Sequence, residues 1–152
     1  MSNYEHEHEH KHDIVTWSEA YATGIKLIDD QHRGLVDLTN KLYLACLNKE
    51  DETVFKETMS SMVEYVRFHF SAELQLLERV NYPDLLEHKK QHESLVKSIL
   101  DAAKDYGDRK KFVPNTFVRT LKDWVFGHIA HSDRLYVIYI ADQKKKGLLS
   151  NV

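Results

Sequence analysis

Several features that are scarce or missing in the sequence exclude whole classes of protein. It has a single cysteine, Cys46, so no disulfide can form within the chain. No apolar run reaches the ~20 residues that a membrane span requires, and no signal-peptide apolar core follows the start. The net charge of -3 provides no basic field for nucleic acid or an anionic membrane. We therefore expect a cytoplasmic protein that binds neither nucleic acid nor membrane.

What is abundant is histidine, with ten residues in a chain of 152. Four of them alternate mostly with glutamate at the start of the chain, and residues 1–13 are polar enough that we expect a mobile arm with little to bury. Weak metal capture by this arm is the alternative interpretation. The folded domain is expected over residues 14–147, followed by a short tail at 148–152.

Apolar residues recur at helical spacing in four long segments. The predicted helices run from about Lys26 to Leu47, Glu52 to Arg79, Pro83 to Tyr106 and Pro114 to Lys146. Short connections join them, and Gly107 and Gly147 follow the last two. The sequence thus predicts an all-α protein, an up-down-up-down four-helix bundle with an N-terminal arm.

Polar side chains interrupt the apolar face of each predicted helix. His69 and Glu73 are four residues apart, as are His88 and His92, so each pair shares one helix face. His128 and Asp133 are five residues apart, which separates them by ~140° on an ideal helix. They could serve metals lying beside the helix, or a local distortion could bring them together. The full inward-facing set is His32, His69, Glu73, His88, His92, His128 and Asp133.

Burying these seven groups requires something that satisfies them. Each unpartnered buried polar group costs a few kcal/mol, whereas a whole domain is stable by only ~5–15 kcal/mol. Five imidazoles and two carboxylates are too many for one tetrahedral zinc ion. They suit two metals, with each carboxylate offering one oxygen to each ion. Imidazole and carboxylate bind iron, copper, zinc or nickel, so the metal stays open on this ground alone.

The same residues resemble the hemerythrin family. The segments that carry the resemblance are Ile28–His32 (IDDQH), His69–Glu73 (HFSAE), Tyr82-Pro83, His88–His92 (HKKQH) and Trp124–Asp133 followed by Tyr136. The resemblance implies two iron ions (Fe2+/Fe3+) joined by an oxo or hydroxo bridge. It implies that His88, His92 and His128 bind one iron, that His32 and His69 bind the other, and that Glu73 and Asp133 bridge both. It also implies a dioxygen pocket lined by Leu35, Phe70, Trp124, Val125 and Ile129.

The function implied by this resemblance is reversible dioxygen binding at a non-heme di-iron centre, for transport, storage or delivery, without enzymatic turnover. Two alternatives use the same centre: sensing of oxygen or redox state through a separate protein partner, and peroxidase or nitric oxide chemistry. Iron storage is a further alternative. Tyr136 and Gln31 are expected either to hydrogen-bond at the site or to play ordinary core and surface roles.

Overall fold

The computed structural model describes residues 13–48, 52–107 and 114–149, and every regular element in these ranges is helical. Residues 1–12 of the expected arm and residues 150–152 of the expected tail lie outside them. A short 3-10 turn at Glu19–Tyr21 precedes the long helices. These are α1 (Lys26–Leu47), α2 (Glu52–Arg79), α3 (Leu85–Gly107), α4 (Pro114–His128) and α5 (Arg134–Lys145), with a π-helical turn at Ile129–Asp133 joining the last two.

The helices form a closed ring of four rods. Helix α1 packs on α2 and α4, and α3 packs on the same two neighbours. Helices α4 and α5 continue one another through the π turn and make the fourth rod. The predicted up-down-up-down bundle is therefore confirmed. Among the described residues, no helix combines the length and apolar character needed to cross a bilayer.

The turn between α2 and α3 differs from the sequence-based expectation. Asn81 adopts a left-handed backbone with φ of 54°. The N–H of Tyr82 donates to the carbonyl of Leu77 at 3.0 Å, and that of Asn81 donates to Glu78 at 3.1 Å. This is the Schellman pattern that ends many helices. It turns the chain before Pro83, so α3 begins at Leu85 and not at the proline.

The fourth rod contains the main irregularity of the bundle. The sequence predicted one helix from Pro114 to Lys146, but residues Ile129–Asp133 form a π-helical turn. A π turn closes i→i+5 hydrogen bonds and so takes one residue more per turn than an α-helix. Residues five apart are thereby brought onto the same side of the rod, which bears directly on His128 and Asp133.

Two apolar clusters fill the inside of the bundle. One contains Leu35, Phe70, Val125 and Ile129 among its buried members, and the other contains Leu76, Leu77 and Tyr136. The seven inward-facing histidines and carboxylates predicted from the sequence lie in neither cluster. They form a buried polar layer across the bundle, at the level of His69 and Glu73 on α2. Phe70 and Leu76 on the same helix belong to the two apolar clusters.

The segment before α1 is held against the bundle by specific hydrogen bonds. The side-chain oxygen of Asn40 accepts from the N–H groups of Ile14 and Val15 at 2.9 and 3.1 Å. The carboxylate of Asp29 accepts from the N–H and hydroxyl of Thr23 at 2.7 and 2.8 Å. These anchors fix the intervening residues, including Tyr21, over the N-terminal half of α1.

Candidate metal centre

Seven ionisable side chains from all four rods meet inside the bundle. Six of them have side chains that are 4% exposed or less, and His128 is the exception at 12%. They fall into two groups whose potential ligand atoms lie within 4.8 Å of one another. One group contains His88, His92 and His128, the other contains His32 and His69, and Glu73 and Asp133 belong to both.

Each carboxylate turns one oxygen towards each histidine group. On the three-histidine side, Glu73 Oε1 lies 2.6 Å from His88 Nε2 and 3.0 Å from His92 Nε2. Asp133 Oδ1 lies 3.1 Å from His128 Nε2 on the same side. The π turn makes this last contact, because an ideal α-helix would point His128 and Asp133 in different directions.

The other oxygens face the two-histidine side. Glu73 Oε2 lies 3.5 Å from His69 Nε2, and Asp133 Oδ2 lies 3.4 Å from His32 Nε2. The two carboxylates therefore stand between the histidine groups, with one oxygen of each available on either side. This is the arrangement that two neighbouring cations would require of shared carboxylate ligands.

Hydrogen bonds on the outer ring nitrogens fix which tautomer two of the imidazoles adopt. His32 Nδ1 lies 2.9 Å from the backbone oxygen of Tyr21, which can only accept, so this nitrogen carries the proton and donates. His69 Nδ1 likewise donates to the amide oxygen of Gln31 at 2.7 Å. In the neutral form of each ring, Nε2 then keeps a lone pair directed into the centre, as metal ligation requires.

Several polar atoms at the centre are buried without a hydrogen-bond partner among the described residues. They are Nε2 of His32, His69, His92 and His128 and both carboxylate oxygens of Asp133. Buried polar atoms in folded proteins are nearly always paired, since leaving one unpaired costs about 1–3 kcal/mol. A cluster of convergent lone pairs fits divalent cations and is costly without them.

One further hydrogen bond holds a shared carboxylate. Tyr136 is fully buried, and its hydroxyl donates to Glu73 Oε2 at 3.0 Å. Burial and the nearby charges of Glu73 and Asp133 raise the pKa of Tyr136 well above its usual value, so the hydroxyl keeps its proton. The carboxylate oxygen on the two-histidine side is thus held by a neutral donor.

In the metal-free protein, bound protons partly replace the positive charge that metal cations would supply. Burial lowers the pKa of His88, but the close carboxylates of Asp133 and Glu73 outweigh it and raise this pKa to about 9. Burial lowers the pKa of His69 to about 4. Burial and mutual repulsion oppose ionisation of the two carboxyls, yet the adjacent imidazoles hold both pKa values below their usual range. Metal binding would therefore release a proton from His88.

Comparison with known proteins places the chain in a family. Residues 23–139 match the family model described as the hemerythrin HHE cation binding domain. The chain belongs to the hemerythrin family. It is 29% identical to the bacteriohemerythrin of Methylococcus capsulatus, over 81% of this chain and 94% of that one. It is 33% identical to that of Clostridium acetobutylicum, over 80% and 97% of the two chains.

Solved structures of hemerythrin agree with this family membership. The crystal structure of a wild-type hemerythrin superposes with a TM-score of 0.75 and 28% sequence identity, covering 81% of this chain and 95% of that one. Structures of hemerythrin variants match to the same degree. The bundle and the buried His/Glu/Asp cluster that could hold metal are thus those of a hemerythrin-family chain.

The five residues predicted to line a dioxygen pocket differ in how deeply they are buried. Leu35, Phe70, Val125 and Ile129 are buried in one apolar cluster of this hemerythrin-family bundle. The ring of Phe70 stacks on His92, with centroids 3.6 Å apart and planes at 4°. Trp124 is not among the buried members of that cluster, and 42% of its surface is exposed. Its neighbour Val125 takes the inward position, and successive residues on a helix point ~100° apart.

Sequence reasoning missed one partner at this centre and left two open. The carbonyl of Tyr21 that accepts from His32 is a backbone atom, and no side-chain pattern reports it. The roles left open for Gln31 and Tyr136 are settled by burial and contact, since each hydrogen-bonds to a residue of the centre. The signal available for Gln31 was its position next to an inward-facing histidine.

Proposed function

We propose that this protein holds two iron ions and binds dioxygen reversibly without chemical turnover. His88, His92 and His128 are the terminal ligands of one ion, and His32 and His69 are those of the other. Glu73 and Asp133 are shared, and an oxo or hydroxo bridge completes the pair. The observation that carries the proposal is the placement of the two carboxylates, each with one oxygen towards either histidine group.

The count of protein ligands makes the two ions unequal. With the shared carboxylates included, the three-histidine group offers five protein ligands and the two-histidine group offers four. The ion on the two-histidine side therefore has more room for an added ligand. Two iron ions in this centre would supply the electrons that reversible dioxygen binding requires.

The surrounding residues keep the two-histidine side ordered and dry. Tyr21 and Gln31 hold the imidazoles of His32 and His69 by their outer nitrogens, which fixes the direction of each Nε2. The buried apolar cluster that contains Leu35 and Phe70 covers this level of the bundle. Side reactions at a reactive centre consume water and protons. Because the apolar cluster excludes them, bound dioxygen is released unchanged.

The test is metal analysis followed by an optical titration. The chain reconstituted with ferrous iron should hold two ions and develop a visible charge-transfer band in air that disappears when oxygen is removed. Glu73→Gln should lose both ions because each group shares that carboxylate. His131→Ala is the matched control, since this histidine is exposed on the same rod as His128. Full iron loading without a reversible band would refute the proposal, and so would zinc as the only tightly held metal.

The same experiment separates the proposal from catalytic alternatives. A binding protein should show no peroxide or nitric oxide consumption beyond that of free iron. Steady turnover that disappears in Glu73→Gln and persists in His131→Ala would assign an enzyme to the same centre. More than two irons per chain would indicate storage.

A further inference from the structure

A glycine inside α1 lies directly against a tyrosine of α2. Gly34 is in the interior of the helix, where glycine is less favourable than alanine. A Cβ atom added to Gly34 would stand 2.5 Å from Cζ of Tyr65 and closer still to its hydroxyl oxygen. Cβ atoms in proteins essentially never come within 3.0 Å of such a neighbour. The Tyr65 ring can therefore lie against α1 only because residue 34 is a glycine.

The Tyr65 hydroxyl uses this space to reach the backbone of α1. It donates a hydrogen bond to the carbonyl oxygen of Gln31 at 3.0 Å. In an α-helix this carbonyl points along the axis towards the next turn, so a side chain at position 34 would stand beside it. A carbonyl oxygen has two lone pairs, and this one accepts from Tyr65 in addition to the helical N–H of Leu35.

The same face of α2 contacts Gln31 twice. Tyr65 and His69 are four residues apart and therefore lie one helical turn apart on one side of α2. Tyr65 donates to the backbone of Gln31, and His69 Nδ1 donates to its side-chain amide oxygen at 2.7 Å. Because His32 directly follows Gln31, these two hydrogen bonds join α1 to α2 beside both histidines of the two-histidine side.

The amide of Gln31 is not held from its other end. Its Nε2 atom is buried and has no hydrogen-bond partner within residues 13–48, 52–107 and 114–149. The direction of its amide oxygen therefore depends on where the Gln31 backbone lies. The Tyr65 hydroxyl is the contact from α2 that fixes this backbone.

We propose that Tyr65 is a positioning residue for the metal centre: its hydroxyl fixes Gln31, whose amide orients His69. The proposal rests on the proposed function, because the ion on the side of His69 is the one with room for dioxygen. Tyr65 acts through Gln31 and supplies no ligand atom, so its loss should weaken only the ion on the two-histidine side. A hydrogen bond that merely joins two helices would stabilise the whole bundle and affect both ions alike.

The first test is a chelator titration of the iron-loaded protein, with bound iron counted at each step. Tyr65→Phe removes one hydrogen bond, so one ion should be held about two- to tenfold more weakly while the other leaves as in the wild type. Tyr139→Phe is the matched control, because that hydroxyl also donates to backbone carbonyls, those of Val80 and Asn81. It should retain both ions. Wild-type retention or equal weakening of both ions in Tyr65→Phe would overturn the proposal, and so would the same loss in Tyr139→Phe.

A double-mutant cycle tests whether Gly34 acts through Tyr65. Gly34→Ala should weaken the same ion at least as much as Tyr65→Phe does, although alanine is the better helix former. Tyr65→Leu removes the ring atoms that a Cβ at position 34 would meet, so adding Gly34→Ala to it should cause no further weakening. Gly127→Ala is the matched control that should retain both ions, because Gly127 is also helical and a Cβ there meets no atom within 4 Å. Additive effects of Gly34→Ala and Tyr65→Leu would overturn the proposal.

The last test does not require iron. In the metal-free full-length chain labelled with nitrogen-15 histidine, the Nδ1–H proton of His69 should exchange with water about two- to tenfold faster in Tyr65→Phe. The Nδ1–H proton of His32 is the internal control, because it donates to the carbonyl of Tyr21 and not to Gln31. Unchanged exchange at His69, or equally faster exchange at both histidines, would overturn the proposal. If the chain takes no iron, the proposed function fails while this measurement still decides the role of Tyr65.

Discussion

Replacing Gln31 tests whether contacts behind the ligands tune the centre. Gln31 and His69 are both buried, and His69 Nδ1 donates to the Gln31 amide oxygen at 2.7 Å. Gln31→Leu removes this acceptor and leaves a buried N–H unpaired, at a cost of about 1–3 kcal/mol. At about 1.4 kcal/mol per factor of ten, the two-histidine side should hold its metal roughly 10–100-fold more weakly.

The assay is a chelator titration of the metal-loaded protein, with bound metal counted at each step. Because Gln31 touches only the two-histidine side, one ion should leave early and the other should leave as in the wild type. Gln31→Glu keeps an acceptor oxygen at the same reach and is the matched control that should retain both ions. Equal weakening of both ions, or wild-type retention by Gln31→Leu, would show that this hydrogen bond does not orient His69.

Three other changes lead to distinct outcomes. Tyr136→Phe removes the donor to Glu73 Oε2, and a hydrogen bond to a charged group is worth about 1.5–3 kcal/mol. In the chelator titration, this variant should therefore hold its metal at least tenfold more weakly, with its helical content unchanged. In the metal-free protein, the raised pKa of His88 stabilises the fold fully below pH ~6.5, and this contribution of about 3 kcal/mol is lost as pH rises towards 9. The lowered pKa of His69 costs stability as pH falls from ~6.5 towards 4. The free energy of unfolding measured in urea should therefore have its maximum near pH 6.5. A steady rise in this free energy up to pH 9 would contradict both pKa shifts. Deleting Ala130 from the π turn shortens the spacing between His128 and Asp133 from five residues to four, which puts both on one face of an α-helix. The deletion variant should therefore fold and still hold metal, as judged by circular dichroism and metal analysis. Loss of metal from a folded deletion variant would show that the π geometry itself is required.

Hydrophobic spacing was sufficient to predict the bundle. The bounds of α1 and α2 coincide with those predicted from the sequence, because each has a continuous inward stripe and a polar break at its end. The start of α3 was predicted two residues early because Pro83 suits the first turn of a helix. The turn is decided instead by the left-handed backbone of Asn81 and the two hydrogen bonds around it, and apolar spacing reports neither.

The convergence of the histidines could be inferred only because several lie on different helices. A single histidine on an apolar face is usually an ordinary core residue, but His32, His69, His88 and His92 interrupt three separate stripes at one level. The position of Trp124 could not be inferred in the same way. The broad apolar face of the fourth rod allowed either Trp124 or Val125 to point inward, and packing against the other rods selects Val125.

The spacing of the fourth rod explains why the pair His128 and Asp133 was the hardest to place. Its inward row has steps of three and four except for one step of five between these two residues: Val118, Leu121, Val125, His128, Asp133, Tyr136 and Ile140. A row that keeps its direction on both sides of one long step contains one extra residue, and a π turn absorbs an extra residue without rotating the helix beyond it. If the helix had remained regular, Asp133 and Tyr136 could not both face Glu73 and the histidines while Leu121 and Val125 faced the core. The five-residue step was therefore itself the sequence signal for the π turn. With this spacing, the inward direction of the Asp133 carboxylate depends on that turn.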